Sequence, residues 1–234
     1  MKKHIPNTIT CCNLVSGCIA IVSAINGSPE LALLWIIIGA VFDFFDGMSA
    51  RLLGVSSPIG KELDSLADVV TFGVAPSTII FHQLSVMVYP EFLTSLHEYI
   101  PYCAFIMAAF SALRLAKFNL DERQTTSFIG LPTPANALFW GSLIVGGQQI
   151  LTSSPYMVLA ILVLVLVSSY LLIAELPLFA LKFKHWGWKG NEIKYIFILS
   201  CIPLLLLLRV SGIAIIIAWY ILLSIITTKI NPKN

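Results

Sequence analysis

Apolar residues run through this chain in eight long stretches, near residues 8–26, 31–53, 63–88, 99–120, 133–150, 155–181, 192–208 and 211–228. Each approaches the roughly 20 residues that an α-helix needs to cross the hydrocarbon core of a bilayer. Short turn-forming groups separate them: Asn26-Gly27-Ser28-Pro29, Ser56-Ser57-Pro58, Tyr89-Pro90-Glu91, Leu131-Pro132-Thr133-Pro134, Ser153-Ser154-Pro155 and Ser211-Gly212. The last boundary is the weakest, because Leu204–Leu208 runs on with only Arg209, Ser211 and Gly212 to mark a turn. The pattern predicts an all-α polytopic membrane bundle of about eight transmembrane helices, a single domain over residues 1–234.

The basic residues sort with this division. Lys2, Lys3, Arg51, Lys61, Arg114, Lys117, Arg123, Lys182, Lys184, Lys189, Lys194, Lys229 and Lys233 fall on one side, and Arg209 alone on the other. Thirteen of 14 basic residues on one side is the positive-inside pattern, which places both termini and the even-numbered loops in the cytoplasm of a cell-membrane protein. A signal peptide is the competing reading of the first stretch, since Lys2-Lys3 precede it and Val22-Ser23-Ala24 loosely resembles a cleavage site. Asn7, Thr10 and Asn13 interrupt the apolar run and favour a retained helix.

Composition agrees with a membrane protein. Of 234 residues, 58% are hydrophobic and 11% charged, against roughly 25% charged in soluble domains. A net charge of +2 gives no footing for nucleic acid, so none is expected as a partner. Cys11, Cys12, Cys18, Cys103 and Cys201 form no C-x-x-C pair and mostly sit in apolar runs, as small hydrophobes do. His4, His82, His97 and His185 lack ligand spacing. The basic-aromatic stretch Lys182–Lys189 fits an anchor at headgroup level.

Against this background four aspartates stand out within 26 residues: Asp43, Asp46, Asp64 and Asp68. Carboxylates at membrane depth are costly and mark places where ions or substrates are handled. Asp43 and Asp46 are spaced i, i+3 near the end of the second predicted helix, and Asp64 and Asp68 i, i+4 at the start of the third. Either spacing puts both acids on one helical face. A connection of about ten residues, from Leu52 to Glu62, returns the chain so that the two faces meet just inside the cytoplasmic surface. Only Arg51 and Lys61 lie near enough to offset four mutually repelling acids, and Glu62 adds a fifth. Oxygen-only ligation suits a hard cation such as Mg²⁺, Mn²⁺ or Ca²⁺ rather than zinc. Gly47 allows close approach of a ligand, Gly60 supplies backbone freedom before the third helix, and Arg51 is suited to phosphate. Cations beside an arginine suit displacement at phosphorus.

The spacing D-x2-D-G-x2-A-R-x8-G-x3-D-x3-D, filled by Asp43, Asp46, Gly47, Ala50, Arg51, Gly60, Asp64 and Asp68, resembles the signature of the CDP-alcohol phosphotransferases. The resemblance implies an active site at the cytoplasmic ends of helices 2 and 3, and two divalent cations, Mg²⁺ or Mn²⁺. It makes Asp43, Asp46, Asp64 and Asp68 the metal ligands, with Asp68 also the catalytic base. Gly47, Arg51, Ser57 and Gly60 would contact the CDP-linked lipid. Pro6-Asn7, Thr10, Asn13 and Gly17 are similar to an N-terminal P-N-x2-T-x2-N-x3-G of the phosphatidylserine synthase branch. Arg114-Leu115-Ala116-Lys117-Phe118-Asn119 and Phe128-Ile129-Gly130-Leu131-Pro132-Thr133-Pro134-Ala135 are similar to that branch's R-L-A-R-F-N and F-x-G-L-P-T-P-A, with Lys117 in place of an arginine. That branch implies CDP-diacylglycerol and L-serine as substrates, serine contacts from Arg114 and Asn119, membrane lipid as surroundings and a homodimer.

Within the class, the competing acceptors are glycerol 3-phosphate and inositol phosphate, which need extra basic residues. A membrane prenyltransferase would carry its two acidic motifs on well-separated segments, and an ion transporter would place acids near the bilayer centre on broken helices. The charge sorting is directly testable. Reporter fusions after Asn234 and within residues 90–98 are expected to report opposite compartments, and the same compartment for both would overturn the eight-helix topology.

Overall fold

The computed structural model describes residues 4–55, 57–120, 130–176, 178, 187–188 and 191–230. Lys2, Lys3, Arg123, Phe128, Ile129, Lys233 and most of Lys182–Lys189 lie outside the described residues, as does the Lys229 side chain. Among the described residues there is no strand. Eight helices follow one another: α1 His4–Ile25, α2 Pro29–Leu53, α3 Pro58–Val86, α4 Ile100–Leu120, α5 Thr133–Gly146, α6 Met157–Ile173, α7 Glu192–Leu208 and α8 Ser211–Ile230. This is a multi-pass membrane protein, and α1 to α4 are each long and apolar enough to cross a bilayer. α5 is shorter than expected because the chain breaks at Gly147 and restarts as the single turn Gln148–Leu151. The weakest boundary falls at Arg209, whose φ of 50° closes α7 and sets up α8.

The buried faces are small and polar rather than large and apolar. α1 buries Pro6, Thr10, Asn13, Ser16, Gly17, Ala20 and Ala24 while exposing Val15 and Val22. α2 buries Ala32, Leu33, Ile36, Gly39 and Asp46 and turns Leu31, Leu34, Val41, Phe44 and Phe45 outward. In lipid there is no hydrophobic drive to bring helices together, so close packing through small residues does it. A Cβ at Gly39 would lie 2.5 Å from Thr71 Cγ2 and 3.0 Å from Asn13 Oδ1, so α1, α2 and α3 touch there at backbone range. Further from the acids the core becomes conventional, with Phe72, Ile79, Ile80, Met107, Trp140 and Ile161 fully buried. The Trp140 indole donates to Ser168 Oγ at 3.0 Å, tying α5 to α6.

Two local devices set the positions of the acids. The connection between α2 and α3 is the four residues 54–57, shorter than the ten expected from the sequence. Gly54 ends α2 in the left-handed conformation (φ 61°), and its N–H bonds to Ala50 and Arg51 carbonyls. Ser57 then caps α3, its Oγ accepting from Gly60 N at 3.0 Å, with Pro58 at the first helical position. The charged residues Lys61 and Glu62, which look like loop, are instead the first turns of the helix. Further along α3, residues Val69–Val74 form a π-helical turn directly after Asp68. Pro76 explains it: proline has no N–H for the Phe72 carbonyl and its ring crowds that oxygen, so the helix widens by one residue, with Ala75 N bonding back to Val70 O.

Gly39→Val is expected to destabilise the protein by about 1–3 kcal/mol, the usual cost of overpacking a tight contact. Thermal unfolding in detergent measures it, and unchanged stability would show that α2 does not approach Thr71 this closely.

Candidate active site

The Leu53 end of α2 and the start of α3 bring the sequence-predicted acids together. Asp43, Asp64 and Asp68 each place a carboxylate oxygen within 4.8 Å of the other two. Asp43 is within hydrogen-bonding reach of both Asp64 and Asp68. Asp46, one turn along α2, is almost fully buried, interacts electrostatically with the other three, and has an Oδ2 with no hydrogen-bond partner. Asp46 and Asp64 both line a cavity of about 210 Å³ with Gly47, Ser57 and Gly60.

The two nearby cations do not neutralise this group. Arg51 Nε turns back to the Gly47 carbonyl at 3.0 Å and its side chain is exposed. Lys61 Nζ donates to the Asn119 carbonyl at 2.9 Å, across to α4. Four carboxylates crowded in a partly buried junction, with an orphaned oxygen on Asp46, fit a divalent cation by donor chemistry: all oxygen, all anionic, from two rigid helices. Asp43, Asp64 and Asp68 are the residues that could hold it, with Asp46 beside them.

Gly47 and Gly60 shape the cavity by what they lack. A Cβ at Gly47 would meet nothing nearer than 4.0 Å, so the floor there is open, whereas one at Gly60 would press on Ser57 Oγ and Asn7 Oδ1 at 3.0 and 3.1 Å. Arg114 is buried in α4, and Asp68 is the carboxylate that acts on its charge. Asn119 sits further along α4 and gives its amide to Ser65 Oγ at 2.8 Å, on the residue that follows Asp64.

The sequence reading of the site omitted α1. Pro6, Asn7 and Thr10 form one wall of the cavity, and Asn13 Nδ2 donates to Asp68 Oδ1 at 3.2 Å. The Asn13 backbone carbonyl accepts from Thr71 Oγ1 at 3.0 Å, which locks α1 to the π-helical turn. The signal was present in the polar interruptions of the first apolar run, at Asn7, Thr10 and Asn13, which share one helical face at steps of three.

A family model described as CDP-alcohol phosphatidyltransferase matches residues 3–146, more than half of the chain. The chain belongs to this family. The matched region contains every aspartate, the α1 wall and the start of α5. Among individual CDP-alcohol phosphatidyltransferases, the chain is 42% identical over 133 residues to a CDP-diacylglycerol–serine O-phosphatidyltransferase of Bacillus subtilis (strain 168), which covers 56% of this chain and 70% of that protein. It is 34% identical over 141 residues to the protein of that name from Mycobacterium leprae, covering 57% of this chain and 44% of the relative's length. It is 31% identical over 172 residues to an archaetidylserine synthase of Methanothermobacter thermautotrophicus, covering 70% of this chain and 67% of the relative.

Asp64 belongs both to the three-carboxylate group and to the cavity wall, so it is the most informative position to change. Asp64→Asn is expected to weaken Mn²⁺ binding to purified protein by at least about tenfold, followed by electron paramagnetic resonance. Unaltered binding would remove Asp64 from the cation-holding set.

Proposed function

We propose that the protein transfers the phosphatidyl group of CDP-diacylglycerol to L-serine, giving phosphatidylserine and CMP. The observation that carries the reaction class is the four-aspartate junction beside an open cavity, in a chain of this family. The choice of serine is supported by the names of the relatives, two CDP-diacylglycerol–serine O-phosphatidyltransferases and an archaetidylserine synthase. We take residues 1–234 as one membrane domain, placed in the cell membrane with both termini cytoplasmic and working as a homodimer.

Each residue then has a part. The cavity between α1 and the α2–α3 hairpin receives the CDP moiety, with Gly47 leaving room for its phosphates and Ser57 and Gly60 forming the far edge. Arg51, exposed at the rim, swings from the Gly47 carbonyl to pair with a phosphate oxygen. Asp43, Asp46, Asp64 and Asp68 hold two divalent cations, Mg²⁺ or Mn²⁺, which when bound supply positive charge to the pyrophosphate oxygens. Asp68 takes the proton of the serine hydroxyl as its oxygen attacks the β-phosphorus. The bond from that phosphorus to the bridging oxygen breaks, and CMP departs with the electron pair. Asn13, donating to Oδ1 of Asp68, fixes the carboxylate so that its other oxygen faces the acceptor. Exposed apolar side chains such as Phe44, Phe45 and Leu52 flank the hairpin and give the acyl chains a route to lipid.

Labelled serine is expected to enter lipid with stoichiometric release of CMP, only with divalent cation present. Asp68→Asn is expected to lower turnover by at least about 10²-fold, the scale of general base catalysis. Faster incorporation of glycerol 3-phosphate or inositol phosphate than of serine would overturn the acceptor while leaving the reaction class intact.

A further inference from the structure

Thr71 departs from the pattern that other hydroxyls in these helices follow. Ser16, Ser65, Ser77, Thr78 and Ser111 each donate to the carbonyl four residues earlier in their own helix. Thr71, fully buried inside the π-helical turn, instead donates across to α1, to the Asn13 carbonyl at 3.0 Å. A mid-helix carbonyl already accepts from an N–H of its own helix, so α1 does not need this bond to satisfy itself. Room for it is made by Gly17, where a Cβ would overlap the Thr71 hydroxyl.

What the bond achieves is decided by the rest of Asn13. Among the described residues its side chain makes one hydrogen bond, from Nδ2 to Asp68 Oδ1 at 3.2 Å, and its Oδ1 is buried with no partner. That oxygen faces Gly39, where a Cβ would come within 3.0 Å of it. The amide is therefore held by packing and by the position of its own backbone, and Thr71 ties that backbone to the helix carrying Asp68. Asp68 and Thr71, three positions apart on α3, take the two ends of a single residue, its side chain and its carbonyl. Two residues on, a Cβ at Gly73 would lie 3.1 Å from Ser111 Cβ, so α4 backs the same turn. The turn is clasped between α1 and α4.

We propose that Thr71 is a positioning residue for the transfer, holding Asn13 so that its amide orients the Asp68 carboxylate toward the acceptor hydroxyl. This rests on the reaction proposed above, in which Asp68 is the base, and deepens it. Thr71 is not part of the cavity wall, so it acts through Asn13 rather than on a substrate. A carboxylate takes a proton only when one of its oxygens lies in hydrogen-bond reach of the donor, and small displacements forfeit much of the rate. Released from Thr71, Asn13 can shift along α1 or turn its amide over. In the second case Oδ1 faces Asp68, and two acceptors repel. The widened turn thus works as a support for the base, set one residue behind it.

The test is steady-state kinetics of the full-length protein, with CDP-diacylglycerol and the alcohol each varied and CMP release measured. Thr71→Ser and Thr71→Ala both lose the methyl packed against Gly39 and differ only in the hydroxyl. Thr71→Ala is expected to lower kcat by about tenfold or more with both KM values within about twofold, and Thr71→Ser to keep kcat within about threefold of wild type. Thr71→Val takes the place of Thr71→Ala should that variant fail to fold. Equal kcat with and without the hydroxyl, or a raised KM at unchanged kcat, would overturn the role. Combined with Asn13→Ala, the Thr71→Ala change is expected to cost nothing further, because it acts through the amide already removed; losses that multiply would show another route and overturn it. The comparison uses whichever alcohol the wild-type protein accepts, so failure of serine as acceptor leaves the role of Thr71 open to the same measurement. A wild-type protein that releases CMP to no alcohol would overturn the reaction and this role with it.

Discussion

Mutual repulsion among Asp43, Asp46, Asp64 and Asp68 is the constraint around which the rest of the molecule is arranged. Left to themselves, carboxylates within 4.8 Å of each other would push the two helices apart. What holds them is packing rather than charge. The small residues of α1 and α2 let three backbones meet near Thr71, while Asn13 bonds both Asp68 and the turn beyond it. Arg51 and Lys61, the bases closest in sequence, bond backbone carbonyls instead of the acids. The anionic junction is thus left free to attract a cation, and helix packing supplies its stability.

This separation also explains the burial pattern. In a soluble protein the large aliphatic side chains would line the interior, and the acids would point outward. Here Phe44, Phe45, Val15 and Val22 face outward where lipid welcomes them, and Asp46, Asn13 and Thr10 face in. A cavity between α1, α2 and α3 then coexists with outward-facing apolar side chains on the same helices. That is the geometry a reaction needs when one substrate is a lipid and its leaving group is a water-soluble nucleotide.

Much of this was legible in the chain. Aspartates at i, i+3 and i, i+4, on helices joined by a short turn, can meet only across that turn, and the apolar stretches coincide in order with the eight longer helices among the described residues. The length of the turn was not legible by counting charges: Lys61 and Glu62 look like loop until Ser57 and Pro58 are recognised as a cap and first helical residue. Asn119 shares a motif with Arg114, and that motif is the reason to expect it at the serine. One and a half turns of helix separate the two residues, which is enough to send the amide to Ser65. The role of α1 was hidden because polar residues in an apolar run give no partner until the tertiary contact is known.

The π-helical turn after Asp68 has a consequence for how this gene can change. A π turn is an α-helix carrying one surplus residue, and each residue advances a helix by about 100°. Loss of any one residue between Val69 and Val74 would close the turn to ordinary α-helix, the bond from Ala75 N to Val70 O becoming an ordinary i to i−4 bond, so the helix beyond keeps its phase relative to Asp68. Ile79, Ile80 and Leu84 would then stay in the core, and the change would fall on Thr71 and Phe72 within the turn itself. The surplus residue therefore serves the turn's own contacts, Thr71 with the Asn13 carbonyl above all, and not the phase of the helix that follows.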